Sequence, residues 1–410
     1  MAFYEENPGQ IAEADIVVGI PTANEAGTIA ATAARIDKGL SEYFPRMRCA
    51  IINCDNHSSD GTREAFFSVP ASAHKLYIST ESEVGGKGRN IRNLFEKARG
   101  LNPKAVVIIE ADIKNVSPVW VRNLVTPVLK GAGFVCPLYE RHKYETFLSN
   151  SIIYPLFRCL YGRRVRQCNT GDYGFSSKML DLYLNSTHRS ELVENSGIDI
   201  WMANVALAAR QPIVQALMGA PKLHRARGRF ADLPDLFAEA VRTIFDLMEV
   251  YQDYWLQVKW SKPTALSGTD LQEVETPLPP ADVNPERLYE KFIDDFDKYS
   301  RLWEHVYGPI TARKLQEIRS IGFQHFSFPT QTWMTILFDT AVAYRGMSPS
   351  EKKDLVDGLL PLYVGKVLSY VKKTWRMSLQ QAEEYIENEC MMFEENKPYL
   401  IKMWTKEERG

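Results

Sequence analysis

Ala105-Val106-Val107-Ile108-Ile109-Glu110-Ala111-Asp112 is the stretch that decides the fold. Five apolar residues, most of them β-branched, run without polar alternation and stop at two carboxylates one residue apart. Such a run reads as a strand buried on both faces, as at the centre of a parallel sheet covered by helices. Glu110 and Asp112 then stand at the carboxyl end of the strand, where open α/β sheets bind their ligands. Two hard oxygen donors at i and i+2, on a chain leaving a strand, are spaced to share one Mg2+ or Mn2+ that also holds a diphosphate. Acidic residues after a strand also cap the next helix, so the neighbouring loops must decide between the two readings.

Upstream, three strand-loop-helix units precede this stretch. Ile16-Val17-Val18-Gly19-Ile20, closed by Pro21, is followed by Asn24-Glu25 and an Ala-rich helical segment to about Phe44. Cys49-Ala50-Ile51-Ile52-Asn53-Cys54 leads into Asp55-Asn56-His57-Ser58-Ser59-Asp60-Gly61-Thr62, dense in turn formers and helix-capping residues. Leu76-Tyr77-Ile78 precedes Gly85-Gly86-Lys87-Gly88 and a helix from about Arg89 to Ala98. Alternation at this spacing predicts a doubly wound, mostly parallel sheet with helices on both faces.

Downstream come a helix from about Pro118 to Leu129, a strand near Gly133 to Leu138 and a small, polar stretch from Gln167 to Phe175. Gly197-Ile198-Asp199 then starts a helix, and Ile213 to Met218 is the last expected strand, followed by Lys222-Leu223-His224-Arg225. From Asp232 the period turns helical, with Phe237, Val241, Ile244, Phe245 and Met248 on one stripe. Residues 261–284 carry prolines and acids without periodicity and read as a linker or arm. Ser348-Pro349-Ser350-Glu351 and Ser378-Leu379-Gln380-Gln381 are capping boxes. The expected organisation is an α/β domain over 1–231 and an α-helical domain over 232–410.

Composition narrows the partners. Lys and Arg number 49 against 51 Asp and Glu, a formal net charge of −2 that provides no general attraction for nucleic acid or anionic membrane. No apolar run approaches the roughly 20 residues that span a bilayer, and the amino terminus is unlike a signal peptide, so the cytoplasm is the expected compartment. The six cysteines lack metal spacing and read as reduced core thiols.

The loops after successive strands jointly offer parts for holding a nucleoside diphosphate. Pro21, Asn24, Glu25 and Asp55 suit a base edge and a ribose, Gly86-Lys87-Gly88 suits close approach to a phosphate, and Glu110-Ala111-Asp112 suits the metal. Gly86-Lys87-Gly88 lacks the spacing and the Ser/Thr of a Walker loop. His224, just past the last strand, is a candidate nitrogen ligand beside Asp112 for Mn2+ or Mg2+. Arg141, His142 and Lys143 form a basic turn able to hold an anionic acceptor, or simply a solvated surface.

From about Asp15 to Gly228 the chain resembles the GT-A glycosyltransferases of the broad family that includes many family 2 enzymes. Asp55 to Thr62 is similar to their Asp-Asp-Gly-Ser-Thr-Asp-Gly-Thr loop, and Glu110-Ala111-Asp112 to their Asp-X-Asp motif. The order of Gly86-Lys87-Gly88, Glu110 to Asp112, Gln167 to Asp172, Gly197 to Asp199 and Lys222 to Arg225 resembles the mannosylglycerate and glucosyl-3-phosphoglycerate synthases. The resemblance implies a metal-dependent, retaining transfer from a UDP- or GDP-sugar, with the histidine after the last strand in the metal shell. It gives Asp112, Asp172, Asp199 and Lys87 as catalytic candidates and D-glycerate or 3-phosphoglycerate as the small polar acceptor. Glu110 stands where the family has its first Asp. Asn169-Thr170-Gly171-Asp172 replaces a Leu-Gly-Gly-Glu segment that helps the relatives hold glycerate. A homodimer is among the assemblies the sequence allows. The competing readings are a glycosyltransferase acting on a neutral sugar or glycan acceptor, a sugar-nucleotide pyrophosphorylase, which would need a basic glycine-rich loop where the acidic Asn24-Glu25 stands, and a helical interaction protein that binds a nucleotide without turnover.

Overall fold

The computed structural model describes residues 4–80, 85–188, 190–225, 233–268, 278, 281 and 283–406. The chain does not divide at one point near 231. One compact unit comprises Met1–Glu140, Val165–Arg229 and Pro263–Leu278, and the other Arg141–Arg164, Phe230–Lys262 and Pro279–Gly410.

The first unit is built on a nine-stranded sheet of β1 (Tyr4–Glu6), β2 (Ile16–Thr22), β3 (Cys49–Asp55), β4 (His74–Ser79), β5 (Ala105–Ile108), β6 (Phe134–Glu140), β8 (Tyr173–Ser176), β9 (Ile213–Pro221) and β11 (Ala265–Ser267). Two-residue strands β7 (Arg163–Arg164) and β10 (Lys262–Pro263) lie outside it. The order is β1-β4-β3-β2-β5-β8-β6-β9-β11. Its central pairs β4-β3, β3-β2 and β2-β5 are parallel, as expected, and so are β6-β9 and β9-β11. Three strands of the sheet escaped the sequence reading, among them Tyr4–Glu6, which pairs antiparallel with β4 at one edge. Tyr173–Ser176 runs antiparallel between β5 and β6, and its single apolar-Gly-apolar step is too short to show a period. Ala265–Ser267, expected within a structureless arm, adds a parallel edge to β9.

The decisive stretch behaves as its composition demands: Ala105 to Ile109 are all fully buried. Burying each Val or Ile side chain contributes about 1.5–3 kcal/mol, so the run fixes the sheet's centre. Strand parity separates the two faces. Ile16, Val18 and Ile20 join a core with Ile29 and Ile36 of the helix Ile29–Tyr43 and Trp120 and Val121 of the helix Pro118–Leu129. Gly19 faces the other way, against Leu94 of the helix Lys87–Gly100. Parallel register aligns the carboxyl ends, with Thr22 opposite Asp55 and Asp55 opposite Ser79, so the polar loops gather along one edge.

The second unit is helical, with main helices Tyr154–Tyr161, Leu233–Val250, Pro285–Val306, Pro309–Ser320, Thr330–Tyr344, Pro349–Thr374, Leu379–Glu395 and Lys397–Lys406. Phe237, Val241, Ile244, Phe245 and Met248 are buried as one stripe, and both capping boxes form. Residues 141–164 join this unit because a buried Arg158 ties them to it, pairing with Glu387 at 2.5 Å and with Glu394. Lys366 of the helix Pro349–Thr374 pairs with Glu389, on the helix that also carries Glu387 and Glu394. Buried Lys397 donates to the carbonyls of Trp255 (2.6 Å), Val258 (2.8 Å) and Leu160 (3.3 Å). All six cysteines are buried thiols, and burial pushes Cys54 and Cys136 well above the ordinary value. Among the described residues no helix is long and apolar enough to cross a membrane.

Candidate active site

The antiparallel strand that the sequence reading missed places half of the site. Ile108 pairs with Tyr173, so the residues just beyond, Glu110 on one strand and Gly171-Asp172 on the other, run side by side. Asp172 Oδ1 accepts the Glu110 amide at 2.9 Å, and its Oδ2 accepts the Tyr139 hydroxyl at 2.6 Å from β6. Gly171 has φ +82°, and a Cβ there would lie 2.3 Å from the Glu110 carboxyl carbon; only glycine lets that carboxyl rest on the turn. The amides of Thr170 and Gly171 both donate to the Tyr173 hydroxyl, at 2.9 and 3.2 Å.

The other half comes from the chain leaving β9. Ile113 and His224 form an antiparallel bridge, the Lys114 amide donates to the Leu223 carbonyl at 2.8 Å, and the Arg225 amide donates to the Asp112 carbonyl at 2.9 Å. This short ladder sets His224 Nδ1 3.3 Å from Asp112 Oδ2. Two residues earlier, Lys222 turns inward with no exposed surface, its ammonium 2.7 Å from both Glu110 Oε2 and Asp172 Oδ2 and 2.5 Å from the Thr170 carbonyl. The sequence reading quoted Lys222 only as part of a motif and did not single out Tyr139. The signal available for Lys222 was a lysine adjoining an apolar strand end two residues before the candidate histidine.

Lys87 and its glycines differ from the expectation of a phosphate loop. A Cβ at Gly88 would meet the Val193 carbonyl oxygen at 1.9 Å and one at Gly86 the Glu194 carbonyl oxygen at 2.4 Å, so these glycines let backbone pack on backbone. The Gly88 amide donates to the Asn195 carbonyl at 3.1 Å, which occupies a donor that an anion would otherwise find at the helix start. Lys87 begins the helix, and its ammonium bridges Glu110 Oε1 (2.8 Å) and Asp199 Oδ2 (2.7 Å). Asp199 Oδ1 is buried without a hydrogen-bond partner. Thus Asp172 has both oxygens engaged, while Asp199 keeps one open.

At the first two strand ends the side chains serve the loops. Asp55 is fully buried; its Oδ1 accepts from the hydroxyls of Thr22 (2.7 Å) and Ser58 (2.6 Å), and its Oδ2 from the Ser58 amide (2.7 Å) and the Tyr77 hydroxyl (2.9 Å). Four donors fill the acceptor capacity of a carboxylate, so Asp55 organises residues 56–62 in place of the direct nucleotide contact expected. Asn24, at φ +58°, takes the Ser59 amide on its side chain and gives its own amide to the Ser58 hydroxyl. Glu25 is buried, accepts the Thr28 hydroxyl at 2.9 Å and lies 3.5 Å from Arg225. Pro21 continues β2 opposite Cys54, and buried Ala111 gives its carbonyl to Thr32. Arg141 belongs to the second unit, 4.0 Å from Glu145, and Lys143 of the same unit donates to the carbonyls of Thr374 and Met377 at a helix end.

The electrostatics follow from burial. Desolvation pushes the Glu110 carboxyl up, yet Lys222 and Lys87 hold it well below the usual carboxylate range. Burial raises the Asp199 carboxyl above its ordinary value in spite of Lys87. For both lysines burial opposes the charge, but the surrounding carboxylates win and keep the ammonium forms. Two ammonium groups, Lys87 and Lys222, are shared among three carboxylates, Glu110, Asp172 and Asp199, and Asp112 lies against His224 beside them. Glu110, Asp112 and His224 each offer a ligand atom within 4.8 Å of the others. Carboxylate oxygens and an imidazole gathered this closely fit a hard divalent cation such as Mn2+ or Mg2+. Both Glu110 oxygens are held by ammonium groups, which sets Glu110 apart from Asp112 and His224.

Residues 17–187 match the family model described as Glycosyl transferase family 2, which bears out the expected resemblance and class of enzyme over that stretch. No curated protein matches the sequence. Among solved structures, the chain is similar to glucosyl-3-phosphoglycerate synthase from Mycobacterium tuberculosis in complex with Mn2+, UDP and glucosyl-3-phosphoglycerate, at 23% identity over 58% of this chain and 80% of that one, TM-score 0.46. It is also similar to that enzyme with Mg2+ and UDP (22%, 58% and 80%, TM-score 0.45) and with Mn2+, UDP-glucose and glycerol 3-phosphate (22%, 58% and 80%, TM-score 0.42). Likeness of this size does not transfer a substrate.

Proposed function

We propose that this glycosyl transferase family 2 domain moves a hexose from a UDP- or GDP-sugar to a small hydroxylated, anionic acceptor, with D-glycerate and 3-phosphoglycerate the leading candidates. The observation that carries the reading is the approach of Glu110, Asp112 and His224 within 4.8 Å of one another beside Lys87, Lys222, Asp172 and Asp199, on the carboxyl edge of the sheet. Asp112 and His224 hold the divalent cation, which when bound supplies electrostatic stabilisation of the departing diphosphate. Lys87, partly exposed, is the cation of this chain that exchanges a carboxylate for a phosphate oxygen. In the transfer the bond from the anomeric carbon to the diphosphate breaks, the bond to the acceptor hydroxyl oxygen forms, and the hydroxyl proton passes to the departing diphosphate. With Asp172 locked at both oxygens, attack by that carboxylate is blocked. The open Asp199 Oδ1 orients a sugar or acceptor hydroxyl, and the acceptor enters on the leaving-group side with retention.

The test is a panel of UDP- and GDP-sugars read by thermal shift with and without Mn2+, followed by product analysis by mass spectrometry with each acid in competition with neutral sugars. Metal-dependent stabilisation by one donor and a glycosylated acid are expected. Exclusive use of a neutral sugar or a lipid would overturn the acceptor, and the absence of any nucleotide effect would overturn the donor site.

A further inference from the structure

Lys222 cannot touch a substrate, because its ammonium is sealed beneath the site. Its partners are nevertheless the groups around the metal: Glu110, Asp172 and the Thr170 carbonyl. We propose that Lys222 is a positioning residue that holds Glu110 off the divalent cation and ties the turn 169–172 to the end of β9. The inference rests on the metal site proposed above.

Glu110 has a ligand atom within 4.8 Å of those of Asp112 and His224, close enough for a side-chain rotation to bring it to a shared cation. Two ammonium groups restrain it, and they are not equivalent. Lys87 is 28% exposed at its side chain and can turn to a phosphate, whereas Lys222 is 0% exposed and has nowhere else to go. Once a diphosphate draws Lys87 away, Lys222 alone keeps Oε2. Gly171 forms the other wall, lying so close that the carboxyl has no room to retreat. A third protein ligand with a negative charge would reduce the cation's pull on the leaving diphosphate, so restraint of Glu110 preserves the charge that drives departure.

The experiment is Mn2+ titration of the full chain with saturating UDP, whose diphosphate draws Lys87 away from Glu110, read by electron paramagnetic resonance of free Mn2+ against a UDP blank, together with kcat and donor KM. Lys222→Met is expected to bind Mn2+ about 10-fold more tightly, the scale on which groups behind the ligands tune metal affinity. Its kcat should fall with donor KM little changed, and Lys222→Arg should restore both values in part. A merely structural role would loosen metal binding, not tighten it. Adding Glu110→Gln to Lys222→Met should abolish the tightening. If Lys222→Met fails to fold, Lys222→Met with Asp172→Asn, which removes the carboxylate left unpaired, carries the same comparison. Unchanged or weaker Mn2+ affinity in the folded variant, beside a wild type that binds Mn2+ normally, would overturn the inference and leave the site reading standing. A wild type that binds no Mn2+, with or without UDP, would overturn both.

Discussion

Each unit of the chain contains an ionic cluster, and the two differ in how completely their groups are used. In the helical unit three cations, Arg158, Lys366 and Lys397, stand with three carboxylates, Glu387, Glu389 and Glu394, and Lys397 is satisfied by three carbonyls. In the sheet unit Lys87 and Lys222 are shared among Glu110, Asp172 and Asp199, and one buried carboxylate oxygen, on Asp199, has no hydrogen-bond partner. Burial alone therefore does not mark a site. A balanced cluster joins elements; one that keeps a buried polar atom open carries a cost that a bound group can relieve.

The sharpest way to break this contrast is to remove the metal carboxylate. Asp112→Ala should lower turnover by at least about 1000-fold, since loss of a leaving-group stabiliser alone reaches that scale. It should also abolish metal-dependent nucleotide binding while leaving the protein folded, as a thermal melt checks. Near-normal product formation by mass spectrometry would refute the assignment. In the balanced cluster the expectation is reversed. Arg158→Met should destabilise the protein by about 3–5 kcal/mol, the usual effect of stripping one partner from a buried pair. Denaturant titration measures it, and a variant as stable as wild type would show that the network is dispensable.

His224→Ala tests the nitrogen ligand and should reduce turnover by roughly 10-fold to 1000-fold and weaken Mn2+ binding; an unchanged Mn2+ dependence of rate would demote it to a structural residue. Acid titration probes Glu110. Its folded pKa lies below the ordinary 4.5, so its contribution to stability is present above pH 4.5 and fades as pH falls through the depressed folded value. Melting of wild type should therefore drop more steeply below pH 4.5 than melting of Glu110→Gln, and parallel curves would contradict the ion-pair description. The smallest effect is a control outside both clusters. Ser348→Ala removes a capping box and should cost about 1 kcal/mol in denaturant unfolding, with Mn2+ affinity unmoved.

The legible part of this molecule was the part with a period. Ala105 to Ile109 announced a buried strand because burial on both faces removes polar alternation, and the loops after β2, β3 and β4 followed from strand-helix alternation. Asp112 and His224 were singled out as candidate ligands from their places at strand ends, and the structure brings them within reach of one another. What stayed hidden depended on register. Nothing local in Tyr173–Ser176 says that it enters the sheet antiparallel beside β5, yet that pairing sets Asp172 against Glu110 and gives Gly171 its purpose. The glycines flanking Lys87 invited a phosphate reading because close approach looks the same in sequence whether the neighbour is an anion or, as here, the backbone of Val193 and Glu194. The packing of Asp55 was hidden for a related reason: its four protein donors come from three separate loops and strands.

The six buried thiols have a practical consequence. A cysteine that is both sealed and held in its protonated form reacts slowly with alkylating reagents, and Cys159 and Cys168 are pushed up to about 12. The native chain is thus chemically silent toward a brief maleimide pulse. A single cysteine introduced at an exposed position would be the one site to accept a fluorophore, with no need to remove the natural six. Conversely, each natural thiol becomes a clock for the opening of its own neighbourhood: modification at Cys54 or Cys136 would report the sheet, and at Cys159 or Cys390 the helices, so mass spectrometry of a timed pulse would resolve which unit opens first.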